Sequence, residues 1–152
     1  MREEQVTKRI LKWLMDDGWE IVCFDFPQSG TGRFLHPNGS TSKNQDSINP
    51  DIVAVKKGIC VFFENKDRFY LPDYEKTNKL ITDNNYTDDI SVLLRSFVVE
   101  KFYFGIGFPE SAYTEKAKMA NYLVDFVVGV SESGKISKLY LKDNYDFFAI
   151  ND

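Results

Sequence analysis

Apolar residues recur at helical spacing from residue 3 to 17, where Val6, Ile10, Trp13 and Leu14 share a face with Leu11 at its edge. Glu3 and Glu4 suit the N-terminal end of a helix dipole, and Gly18 supplies a stop. The pattern then changes to runs of β-branched and aromatic residues. Trp19 to Phe26 reads as a strand ended by Pro27. Ile52 to Val55 and Ile59 to Phe63 read as two strands joined at Lys56-Lys57-Gly58. Helices are predicted over 73–82 and 88–95, and a strand over 98–108. A continuous helix is predicted from Pro109 to about Leu123, then strands over 124–130 and 136–141 around a turn at Gly134. The aromatic tail Tyr145 to Ile150 is expected to dock on the core. This order predicts one α/β domain over residues 1–152, with a central mixed β-sheet flanked by helices.

One stretch breaks the polar–apolar logic. Residues 27 to 48 form a long polar loop rich in Gly, Ser, Thr and Asn, and loops of that length tend to carry function. Gly30-Thr31-Gly32-Arg33 lacks the Gly-Lys-Ser/Thr of a P-loop, but it offers backbone N–H groups and one Arg to a phosphate. His36 is read as an exposed loop residue, with general-base work as the sharper alternative. Asp25 is read as holding a turn rather than bordering a site.

Composition narrows the classes. The chain has 152 residues, 43% hydrophobic and 28% charged, as in water-exposed globular proteins. No apolar run approaches the roughly 20 residues that cross a bilayer, and the acidic start is unlike a signal peptide. A cytoplasmic protein with no membrane association is expected. With two cysteines and one histidine a zinc centre is not expected, and Cys23 and Cys60 are read as buried thiols inside strands. The net charge of −4 argues against a general nucleic-acid coat, so any nucleic acid must be held by a local patch.

The candidate chemistry sits on the 52–63 strand pair. Asp51 stands at the mouth of the first strand, and Glu64 and Lys66 end the second. Residues two apart on a strand share a face, so Glu64 and Lys66 point the same way. Hairpin pairing about Gly58 returns Asp51 beside them. Two carboxylates and an ammonium then converge at one sheet end, the makings of a divalent-metal site with a lysine beside it.

Pro50-Asp51, twelve residues, then Glu64-Asn65-Lys66 resembles the PD-(D/E)xK signature of the restriction-endonuclease-like nucleases. The resemblance in layout covers residues 1–66. It implies a restriction-endonuclease-like core and Mg²⁺-dependent hydrolysis of DNA, with Mn²⁺ as a substitute metal. By the same resemblance Asp51, Glu64 and the backbone carbonyl of Asn65 are metal ligands, and Glu3 or Glu4 leans in from the first helix. Asp51, Glu64 and Lys66 are the expected catalytic set. Lys66 is expected to orient or deprotonate the attacking water, with burial lowering its pKa toward that task. Arg33, Lys43, Arg68, Lys76 and Lys79 are the expected DNA contacts, and a homodimer would cut two strands. A type II restriction-like enzyme is the leading form; a Holliday-junction resolvase or repair nuclease is the alternative. RNA as substrate stays open, as does a non-catalytic binding module on the same fold.

Overall fold

The computed structural model describes residues 1–25, 49–83 and 86–150. Helix α1 (Glu3–Asp16) leads into β1 (Glu20–Phe24). Strands β2 (Ile52–Lys56) and β3 (Ile59–Asn65) form the hairpin that the sequence predicts. Its turn places Lys57 and Gly58 at φ of 50° and 80°, a conformation that glycine adopts without the penalty of a Cβ. Helices α2 (Leu71–Thr82) and α3 (Thr87–Leu93) follow, then β4 (Lys101–Pro109). The short α4 (Glu115–Met119) precedes β5 (Phe126–Val130) and β6 (Ile136–Leu141).

The strands form one six-stranded sheet in the order β1-β2-β3-β4-β5-β6. β1, β2 and β3 run antiparallel, β3, β4 and β5 run parallel, and β6 returns antiparallel. The protein is therefore an α/β fold around a mixed sheet with helices on both faces. Covered on both sides, β2 and β5 bury every residue, which is why they read as unbroken apolar runs.

Alternation along the strands sorts the core into two faces. On one, Val6, Ile10 and Leu14 of α1 pack on Ile52, Ala54, Val61, Phe63, Phe126 and Val128. Phe147 and Phe148 from the C-terminal tail complete this layer: Phe148 meets Trp13 at 5.1 Å and Phe126 at 5.1 Å between ring centroids. On the other, Tyr86 and Leu94 cover Val53, Cys60, Phe62 and Phe104, while Tyr74 of α2 and Ala117 of α4 cover Ile106 and Val127. Cys23 and Cys60 are buried thiols rather than disulfide-bonded, and burial followed by the neighbouring Cys23 pushes the Cys60 thiol far up. No helix among the described residues is long and apolar enough to cross a membrane.

The segment after β4 departs from expectation. In place of a continuous helix from Pro109 to Leu123, a 3₁₀ turn (Glu110–Ala112), α4 and a second 3₁₀ turn (Asn121–Leu123) follow one another. Thr114 is extended (φ −80°, ψ 174°) and its hydroxyl accepts from Ala117 N–H, restarting the helix there. A hydroxyl that competes for backbone donors favours a cap over a helix interior.

Phe148→Ala removes a ring that touches both α1 and the sheet. We expect a loss of about 3–5 kcal/mol in urea unfolding. A loss below about 1 kcal/mol would show that the tail is not part of the core.

Candidate functional site

The site is built by register. The last pair of the hairpin is Ile52↔Phe63, so Asp51 and Glu64 lie one step beyond it on adjacent strands. Asp51 N–H donates to Phe63 O (2.9 Å), and Asp51 Oδ2 accepts from Asn65 N–H (2.7 Å). Lys66 N–H donates to Gly107 O (2.9 Å), which carries the chain on along β4 beyond the end of β3. Asp25 N–H donates to Asp51 O (2.8 Å), and Asn49 Nδ2 donates to Asp25 Oδ2 (2.6 Å), so Asp25 steadies the approach to Asp51.

Two helix N-termini close on this strand end. α1 brings Glu3, whose first turn is fixed by Arg2 N–H donating to Gln5 Oε1 (2.9 Å). α2 brings Asp73, with Pro72 pre-set in its first turn. The Lys66 ammonium lies among three carboxylates: 3.6 Å from Glu64, 3.6 Å from Glu3 and 3.9 Å from Asp73. Glu4 instead pairs with Lys8 along the helix at 3.0 Å. Asn65 turns to the opposite face, where its Nδ2 donates to Thr7 Oγ1 (3.0 Å). A Cβ at Gly107 would collide with the Asn65 side-chain oxygen and with Ile10, so glycine there lets α1 close on the sheet.

The electrostatics follow from burial. Asp51 is pushed up to about 8, by desolvation first and then by Glu64; the Asn65 N–H and Lys66 pull the other way. Glu64 is pushed up to about 6 by desolvation, with Lys66 and Lys76 opposing and Asp73 reinforcing. Asp73 is also raised, by burial, against the pull of Lys66, Lys76 and Arg68. Burial lowers Lys66, but Glu64, Asp73, Glu3 and Asp51 outweigh it and hold the ammonium above the ordinary lysine value. These carboxylates hold Lys66 as a cation, the form that can orient a water or a phosphate.

The other expected residues divide. Lys76 lines a water-sized cavity of about 10 Å³ with Pro50, Glu64 and Thr77. Arg68 is exposed yet near enough to act on Asp73, and Lys79 is exposed further along α2. Arg33, Lys43, His36 and the rest of the 27–48 loop lie outside the described residues. Lys56 is at the far end of β2 from the site and donates to Asp17 O (2.6 Å). Among the described residues no three His, Cys, Asp or Glu side chains form a group that holds a metal. Glu3 lies 3.6 Å from Lys66. The acid missed in the sequence is Asp73, whose only signal was an acidic residue after Pro72 in a first turn.

No family model matches the chain, and no curated protein sequence does. Two solved structures are similar to it. One is an XisH family protein from Nostoc punctiforme, with 17% identity and a TM-score of 0.45, covering 88% of this chain and 97% of its own. The other is an fdxN element excision controlling factor protein from Anabaena variabilis, with 16% identity and a TM-score of 0.45, covering 89% of this chain and 97% of its own.

The raised carboxyls set a pH dependence. A carboxyl that binds its proton more tightly folded than unfolded costs nothing below its unfolded value near 4. Stability is then lost as pH rises through the folded value, about 8 for Asp51. Without divalent metal, the melting temperature of Asp51→Asn should therefore rise relative to wild type as pH goes from 5 to 8.5. Parallel melting curves across that range would remove Asp51 from this account.

Proposed function

We propose that this chain is a Mg²⁺-dependent endonuclease hydrolysing phosphodiester bonds in DNA, on a restriction-endonuclease-like core of the PD-(D/E)xK kind. The observation that carries the reading is one buried arrangement. Burial and then Glu64 raise the proton affinity of Asp51, burial raises that of Glu64, and Lys66 stands 3.6 Å from Glu64. Such a pair is costly in a desolvated place unless a cation joins it.

The donor set fits Mg²⁺, which takes hard oxygens and keeps several waters, so two carboxylates and a carbonyl leave room for water and phosphate. Asp51, Glu64 and the Asn65 carbonyl are the groups that would hold it. When bound, the metal supplies a water of lowered pKa and charge neutralisation at the scissile phosphate. The chain's own residues do the rest. The Asn65 N–H fixes Asp51 Oδ2, so the carboxylate has one orientation. Lys66, held charged, donates to the phosphate or water and offsets charge that grows on the phosphoryl oxygens. Lys76 and Arg68 add positive field on the α2 side, favourable to a phosphate backbone in a chain of net charge −4. Sequence-specific cutting of the type II restriction kind is the form we favour, with the 27–48 loop offering base contacts.

The test is cleavage of supercoiled plasmid and of a four-way junction, with Mg²⁺ and with EDTA. Wild type should cut only with Mg²⁺. Lys66→Ala and Glu64→Gln should each lose at least about 10²-fold in rate, the scale for removing one charge-stabilising group. Discrete fragments would assign restriction, and cutting confined to the junction would assign resolution. Mg²⁺ should also raise the wild-type melting temperature and leave Asp51→Asn unmoved. No cutting of any substrate and no Mg²⁺ shift would return the fold to a non-catalytic binding role.

A further inference from the structure

Asp73 is the most enclosed of the carboxylates around Lys66. It is 5% exposed, and its Oδ2 is buried with no hydrogen-bond partner among the described residues. Its Oδ1 lies 3.9 Å from the Lys66 ammonium. An acid that only served the α2 dipole would sit in water, or accept from a free N–H of the first turn. Asp73 does neither: its backbone N–H donates to Tyr70 O (3.1 Å), and the side chain faces inward toward a cation on another element. Orphaned buried carboxylate oxygens are uncommon in folded proteins and call for an explanation.

We propose that Asp73 is the positioning residue for Lys66. Three partners hold the ammonium. Glu64 comes from the same strand end, and Glu3 comes from α1 with a side chain 44% exposed. Asp73 comes from α2 with a side chain only 7% exposed. Solvent and salt screen an exposed partner far more than an enclosed one. A short side chain on a packed helix also has few rotamers, whereas Glu3 has a longer stem and a more exposed side chain. Asp73 therefore fixes where the ammonium points, and α2 becomes part of the site rather than a cover over the sheet. The buried Tyr74 next to it, packed on Phe69 with ring centroids 5.2 Å apart, keeps that turn of α2 in place.

The catalytic consequence rests on the nuclease reading; the positioning itself does not, so the experiment has two arms. In the first, Asp73→Asn is made in the wild type and in Lys66→Met, and melting temperatures are compared as a double-mutant cycle. We expect a favourable coupling between the two: the shift in melting temperature produced by Asp73→Asn should be more stabilising by several degrees in Lys66→Met than in wild type. Glu3→Gln should couple to Lys66 less strongly than Asp73→Asn does. Equal shifts in both backgrounds, or a stronger coupling from Glu3, would overturn the proposal. In the second arm, Asp73→Asn should lower kcat at least about tenfold with KM for DNA and the Mg²⁺ dependence unchanged. A rise in KM alone would make Asp73 a substrate contact and overturn it as well. If the wild type cuts nothing, the nuclease reading falls while the melting cycle still decides the role of Asp73.

Discussion

Two like charges at one end of a dry sheet are the constraint to which the neighbouring elements answer. The β2–β3 register leaves Asp51 and Glu64 on adjacent strands, and burial raises both. Among the described residues Lys66 pairs with Glu64 while Lys76 acts on it as well, and Lys66 is itself shared with Glu3 and Asp73. An ammonium divided among so many carboxylates cannot neutralise any of them in full.

The same crowding decides what the lysine can do. A lone lysine buried beside a metal would lose its proton more easily, and that was the reasonable expectation from Glu64-Asn65-Lys66 alone. Four acids reverse the sign. Three of them, Glu3, Asp51 and Glu64, were visible in the sequence as candidates, but their combined effect depends on distance and depth. These acids favour the charged form of the lysine.

The sheet was readable where local rules and tertiary demands agree. Gly58 between two apolar runs made a hairpin, and the period of two along it put Glu64 and Lys66 on one side. Val6, Ile10 and Leu14 announced the face that α1 buries. Reading failed where one rule had to outvote another. From 109 to 123 helix-forming residues promised one helix, and the Thr114 hydroxyl divided it. Asp73 looked like an ordinary first-turn acid because only the docking of α2 onto β4 decides whether such a residue meets water or a lysine. Basic residues were the least readable, since Lys56 and Lys76 look alike in sequence and lie at opposite ends of the sheet from one another.

The parallel pairing of β3 with β4 has a bearing on how the molecule assembles. The β2–β3 hairpin is a local contact and can form while the chain is still open to solvent, so Asp51 and Glu64 first meet in water, where their repulsion is weak. β4 joins β3 only after the whole α2–α3 segment has been spanned, and such long closures come late. The repulsion therefore grows during the last step, as α1 and α2 seal the strand end. The cost of completing the fold then includes that of burying two carboxyls side by side.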